Sequence, residues 1–143
     1  MKLFILITSL ILGIVCNAPA ASPTEEARFL AAVKKAFENK DAEAFLNLHC
    51  WDGVPEFIKS VSKKTNPVLQ EFKVDSITLV AASPKLAKSE FMRDGITYRP
   101  NLPVTKQIEV AHSSPESKMK GTVTIPVGEK DGKFFITSVA PAK

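Results

Sequence analysis

The spacing of apolar residues changes once along this 143-residue chain, near residue 70, and this change constrains the fold most strongly. Before it, apolar residues recur every three or four positions, as on one face of a helix; after it they alternate, as on one face of a strand. Examples are Leu30, Val33 and Phe37 in the first part and Val123, Ile125 and Val127 in the second. Helices followed by strands predict an α+β fold, with N-terminal helices packed on a curved, mostly antiparallel sheet.

Three helices are predicted before residue 67. Ser22 is a suitable N-cap for the first, Pro23 fits its first position, and Glu25 completes a capping box. Asp41 can cap a second, shorter helix. Pro55 suits the first turn of a third helix. The apolar face of this third helix is expected to contain Phe57, Ile58 and Val61.

Four or five strands are predicted after residue 71. The dipeptides Asp94-Gly95 and Asp131-Gly132 are typical of tight hairpin turns, and the second joins the clearest pair of alternating runs. The apolar parity of the first strand changes near Asp75-Ser76, which predicts a β-bulge there. Its apolar positions are Phe72 and Val74 before the change and Ile77 and Leu79 after it.

Two stretches carry a family resemblance. The segment "KDAEAFLNL" follows the first helix, and "GTVTIPVGEKDGKFFITSV" closes the chain. In this order they resemble the second helix and the terminal hairpin of NTF2-like (SnoaL-like, cystatin-like cone) domains. The resemblance implies a cone whose sheet encloses an apolar pocket. Family members include ketosteroid isomerase-like enzymes, small-ligand binders and protein-binding domains. Enzymatic members place a carboxylate after the second helix, where this chain has "LHCWDGVPEF", so no catalytic residue is carried over.

The first 20 residues are predicted to be a secretory signal peptide. Lys2 precedes an apolar run from Leu3 to Val15, and Ala18-Pro19-Ala20 suits a signal peptidase. Cleavage after Ala20 would leave 123 residues as a single domain, 21–143, exported to the periplasm or secreted. The branched Val15 before Cys16 argues against a lipoprotein. No second apolar run follows, so no stable membrane insertion is expected after cleavage.

Cleavage would also remove Cys16 and leave Cys50 as the one cysteine, so no intramolecular disulfide is predicted. The net charge of +4 would become +3 with the loss of Lys2. Lysines alternate with acidic residues along the chain, which indicates a solvated surface and argues against a nucleic-acid partner. There is no Gly-rich phosphate loop, no G-x-S-x-G and no C-x-x-C, and no cofactor is predicted.

The stretch "LHCWDG" is either a reactive site or a corner between helices. Adjacent His49 and Cys50 diverge by about 100° on a helix, so no metal site is predicted. Cys50 at the end of the second helix is interpreted as a small buried residue, with a nucleophile as the alternative. His49 at that helix end is expected to be favourable when charged. Trp51 is interpreted as a packing plug or a ligand wall. Asp52 is interpreted as the cap or Asx-turn residue of the third helix, with a general base as the alternative.

Tyr98 and His112 lie on predicted strands. Tyr98 could stabilise an oxyanion beside a base such as Asp75, and the alternative for both strand residues is a core or edge role. The candidate catalytic residues are therefore Cys50, Asp52, Asp75, Tyr98 and His112. The candidate ligand-binding residues are Trp51 and Tyr98.

The expected function is binding of a small apolar molecule or a protein partner through the cone. The alternative is an isomerase-like or cyclase-like enzyme with an acid–base pair in the pocket. A homodimer formed on the open face of the sheet is a further expectation.

Overall fold

The structure, a computed structural model, describes residues 22–66, 72–114 and 120–142. These residues form an α+β fold in which helices at the N-terminal side pack on a strongly curled, antiparallel half-barrel, as predicted. The helices are α1 (Pro23–Glu38), α2 (Ala42–Leu46), α3 (Glu56–Lys64) and α4 (Pro84–Ala87). The strands are β1 (Lys73–Ala81), β2 (Phe91–Arg93), β3 (Ile96–Pro100), β4 (Val104–Ser113), β5 (Lys120–Lys130), β6 (Lys133–Ile136) and β7 (Val139–Pro141).

The first two helices begin at the predicted caps. The Ser22 hydroxyl accepts a hydrogen bond from the backbone N–H of Glu25 at 3.3 Å, and Pro23 occupies the first helical position. The Asp41 carboxylate accepts from the N–H of Ala44 at 2.9 Å. Each cap satisfies an N–H that has no partner within its own helix, and this fixes where the helix starts.

The half-barrel is the four-stranded sheet, with strand order β1-β4-β5-β6. The predicted bulge is present, because Val74 pairs with His112 and Ser76 pairs with Ala111, which leaves Asp75 without an opposite residue. One extra residue at this point keeps Val74 and Ile77 on the core side of a single strand.

Both predicted hairpin turns are confirmed. Asp94-Gly95 and Asp131-Gly132 have positive φ at both residues, 52° and 75° in the first and 52° and 73° in the second. This is the backbone of a type I′ turn, whose twist matches that of the strands it joins. The turns fix the register of β2 on β3 and of β5 on β6.

The interior of the half-barrel is filled by side chains. The apolar face of α1 packs on the sheet, where the rings of Phe29 and Phe134 are 6.0 Å apart between centroids. Phe45 of α2 contacts Phe37 edge to face at 5.3 Å. The largest fully buried side chains are Val33, Phe45, Ile108, Val110, Val127 and Ile136.

A second sheet, with order β2-β3-β7, was not expected. The sequence predicted one sheet, whereas the chain leaves the first sheet after Ile136 and pairs β7 with β3. At this crossing the N–H of Asn101 donates to the Ser138 carbonyl at 2.9 Å. The paired residues of β3 and β7 are about 40 positions apart in the sequence. The local spacing of apolar residues carries no information about such distant pairing.

The expected burial of the α3 apolar face is wrong. No residue of α3 is buried, and the side chains of Phe57 and Val61 remain 37% and 50% exposed. Because α1 and α2 already supply the helical part of the core, α3 lies beside it. Its Phe57 contacts Tyr98 of the second sheet edge to face, with centroids 6.0 Å apart.

The backbone of β5 at Gly128 is closely packed and leaves no space for a side chain. A Cβ at this position would lie 2.7 Å from the Cβ of Leu102 and 2.8 Å from the carbonyl oxygen of Pro103. We expect Gly128→Ala to lower the free energy of unfolding by about 1–3 kcal/mol, because the backbone must move to relieve the overlap. Urea denaturation measures this. The exposed Thr124→Ala on the same strand is the control, and an equal effect of both substitutions would contradict the assignment.

Candidate functional site

The "LHC" part of the "LHCWDG" stretch follows the turn after α2 and lies against the edge of β6. The N–H of Cys50 donates to the Ile136 carbonyl at 2.9 Å, and the N–H of Ile136 donates to the Leu48 carbonyl at the same distance. His49 and Ile136 thus form a parallel bridge. The stretch is a packed corner between α2 and the sheet, since α2 ends at Leu46.

Cys50 is a free cysteine whose side chain is buried, with 6% exposure. The interpretation as a small buried residue agrees with this position. The neighbouring Asp52 is exposed, and its carboxylate pairs with the ammonium of Lys130. The hydrogen bond from Lys130 and the charge of that ammonium hold the pKa of Asp52 below its ordinary value, with a smaller contribution from Cys50.

The predicted capping role of Asp52 is wrong. The N-cap of α3 is Pro55, and no side chain caps this helix. Between them Gly53 adopts φ +67°, and the N–H of Val54 closes a turn onto the Trp51 carbonyl at 3.2 Å. The turn separates Asp52 from the helix start, so its carboxylate bonds Lys130 instead.

Trp51 and His49 form a stacked pair. Their ring centroids are 4.9 Å apart with an angle of 15° between the planes. The indole N–H of Trp51 donates to the Leu46 carbonyl at 3.1 Å, and His49 contacts Phe45 edge to face at 5.3 Å. The expected packing role of Trp51 agrees with these contacts. The half-buried Trp51 also borders a cleft between α2 and α3.

The environment of His49 favours its neutral form. Burial lowers the pKa of this imidazole, and the carbonyls of Phe45 and Leu46 offset the effect in part. The Nδ1 atom lies 3.2 Å from the Phe45 carbonyl oxygen, to which it donates when protonated. His49 therefore does not follow the expectation of a charged residue at a helix end, because loss of solvation outweighs those carbonyls.

Asn101 holds the corner in place, a role that was not predicted from the sequence. Its side-chain NH₂ donates to the carbonyls of Cys50 at 2.8 Å and Asp52 at 3.1 Å. Its side-chain oxygen accepts from the N–H of Ser138 at 2.9 Å. An asparagine between Pro100 and Pro103 is a turn signal that could have drawn attention to it.

Asp75 and His112 lie at the other end of the four-stranded sheet. Asp75 accepts a hydrogen bond from the Ser113 hydroxyl at 3.1 Å, and the His112 ring packs on Phe72 with centroids 4.5 Å apart. Gly121 lies against the His112 ring, where a Cβ would approach Nε2 to 2.8 Å.

A cleft of about 510 Å³ opens beside Asp75, between α1 and β1. We call it the α1–β1 cleft. Its lining combines apolar side chains with charged groups: Lys34, Phe37, Glu38, Lys40, Phe72, Val74, Asp75, Ser76 and Ile77. Its volume lies in the range of small-molecule sites.

The candidate residues occupy three separate places. Cys50 and Asp52 lie near the β5–β6 hairpin, whereas His112 pairs with Gly121 at the opposite end of β5. Gly121 and Lys130 are nine positions apart on β5, which corresponds to about 30 Å of strand. Tyr98 belongs to the second sheet, where it is 5% exposed.

Tyr98 lies beneath an exposed apolar surface that the sequence did not predict. Its ring stacks on Phe91 at 5.1 Å and contacts Phe57 of α3, while the Arg93 guanidinium lies 4.7 Å above the Phe57 ring. We call this the α3–hairpin surface. Its exposed apolar side chains are Phe57, Val61, Phe91 and Ile96. Met92 is also exposed, but its pairing with Thr97 places it on the opposite face of the hairpin.

Comparisons with known proteins give no relative: no family model, curated protein or solved structure matches this chain. Among the described residues, no group of three or more His, Cys, Asp and Glu side chains could hold a metal ion. Across residues 22–66, 72–114 and 120–142, no helix has the length and apolar character needed to cross a membrane.

The lowered pKa of His49 predicts a pH-dependent stability. The unfolded chain, with an ordinary histidine pKa of about 6.5, binds more protons than the folded chain just below that pH. The free energy of unfolding should therefore fall as the pH drops below about 6.5, towards the lower pKa of the folded state.

Urea denaturation at several pH values measures this slope. His49→Gln should reduce it, whereas His112→Gln, which keeps His49, is the matched control for loss of a histidine. An unchanged slope in His49→Gln would contradict the assignment.

Proposed function

We propose that this chain is an exported protein-binding domain with an NTF2-like cone as scaffold, and that it holds its partner on the α3–hairpin surface. The observation that carries the proposal is the concentration of exposed apolar side chains there. Of the six large apolar residues exposed in the described part of the chain, four lie on this surface: Phe57, Val61, Phe91 and Ile96. Contiguous apolar surface of this kind is typical of interaction sites.

The α3–hairpin surface is held in shape before any partner binds. Phe57, Tyr98 and Phe91 contact one another in sequence, and the Arg93 guanidinium covers the Phe57 ring. Aromatic and arginine side chains contribute most of the energy at many interfaces. Fixing them in the free protein lowers the entropy cost of association.

The packed core is compatible with a partner on the outside of the scaffold. Side chains of α1, α2 and the sheet pack against one another inside the half-barrel, and the α1–β1 cleft opens at their edge between Phe37, Phe72 and Ile77. A second copy of this chain is one possible partner, in keeping with the expected homodimer.

The test is photo-crosslinking in the cells that produce the protein. A photoreactive residue replaces Val61, which is 50% exposed, or Val80 on β1, an exposed apolar residue outside this surface. We expect a discrete adduct from position 61 and none from position 80, and its loss when Ile96→Asp is added. An adduct of twice the chain mass identifies a second copy. Equal labelling from both positions, or no adduct, would overturn the proposal.

A second candidate function is the binding of a small amphiphilic anion in the α1–β1 cleft. Here the rings of Phe37 and Phe72 would contact an apolar chain, and the ammonium groups of Lys34 and Lys40 would contact its acidic group. This function keeps the expectation of a small apolar ligand. Glu38 and Asp75 also line the cleft, so the acidic group must lie on the side of the two lysines.

Decanoate is a suitable probe for this cleft. We expect it to raise the melting temperature of the protein more than decanol, because only decanoate pairs with the lysines. Lys34→Gln should reduce the shift by more than half, whereas Lys35→Gln, on the same helix but outside the cleft, should not. Equal shifts from acid and alcohol would exclude the anion requirement.

A further inference from the structure

A separate cleft of about 470 Å³ lies between α2 and α3, with Trp51 at its border. We call it the Trp51 cleft. Its lining residues are Glu43, Leu46, Asn47, Trp51, Lys59 and Lys63. It is distinct from the α3–hairpin surface. Phe57 and Lys59 are two positions apart on α3, a rotation of about 200° around the helix axis, so their side chains lie on nearly opposite sides of the helix.

The orientation of Trp51 is fixed on two sides. One face of the indole stacks on His49, and the indole N–H is bonded to the Leu46 carbonyl. The ring nevertheless keeps part of its surface exposed at the cleft. An aromatic wall held in one rotamer can stack on a ligand ring without an ordering cost of its own.

Two lysines supply positive charge to the same cleft. Lys59 and Lys63 are four residues apart on α3, which places their side chains on one face of the helix. The Lys59 ammonium lies 3.6 Å from a carboxylate oxygen of the exposed Glu56, whereas Lys63 makes no ion pair with any described residue. Glu43 is the one acidic lining residue, so the lining carries a net positive charge.

We propose that the Trp51 cleft binds a small anion with a flat ring face. The ring stacks on the Trp51 indole, and the acidic group pairs with the ammonium groups of Lys59 and Lys63. Asn47 and Glu43, which also line the cleft, supply polar groups that can bond hydroxyl groups on the ligand. Acidic sugars and aromatic carboxylic acids share this chemistry. The inference does not depend on the proposed partner surface.

The test uses the fluorescence of Trp51, the one tryptophan of the chain, in the purified protein. Glucuronate and benzoate are the probes, and glucose and benzyl alcohol are their uncharged controls. We expect a saturable change in emission with a dissociation constant of order millimolar, as is usual for ligands of this size, and weaker binding at high salt. A response to glucuronate alone assigns an acidic sugar, and a response to benzoate alone assigns an aromatic acid.

Charge variants then locate the site. Lys59→Gln combined with Lys63→Gln should weaken binding at least tenfold. Lys64→Gln, also exposed on α3 but outside the cleft, should leave it unchanged. The proposal is overturned if neither anion changes the emission, if the uncharged controls act equally, or if Lys64→Gln weakens binding as much as the double substitution.

Discussion

The packing of α1 on the inner face of the curled sheet is the contact on which the rest of the structure depends. Phe29, Val33 and Phe37 belong to one core cluster with buried side chains of β1, β4, β5 and β6. Removing a large side chain from such a core costs about 2–5 kcal/mol, so this layer largely decides whether the domain folds.

The periphery is organised by a few hydrogen bonds at the end of β6. The backbone of Leu48 and Cys50 pairs with Ile136, and Asn101 joins the same segment to Ser138. These bonds connect the two sheets to the loop that carries Trp51. Asn101 therefore positions the "LHCWDG" stretch, which the sequence offered as a candidate reactive site, through hydrogen bonds to the backbone of Cys50 and Asp52.

The helix α3 separates two surfaces of different chemistry. Phe57 and Val61 contribute to the apolar α3–hairpin surface, whereas Lys59 and Lys63 line the Trp51 cleft. No residue of this helix is buried, so α3 contributes little to the core. Exposed apolar surface of this kind is typical of interaction sites, where a partner removes it from water. The α1–β1 cleft, which is lined in part by the bulge residue Asp75, is a further cleft away from α3.

The sequence by itself determined the elements whose signals are local. The caps Ser22 and Asp41, the Asp-Gly turns and the bulge at Asp75 followed from neighbouring residues, as did the α+β class. Tertiary structure alone decided the second sheet, the exposure of α3 and the contact of Asp52 with Lys130, 78 positions away. The physical reason is that burial and strand pairing depend on which distant surfaces the whole chain brings together. In the folded chain α1 and α2 supply the helical part of the core, and α3, despite its apolar pattern, has no buried residue.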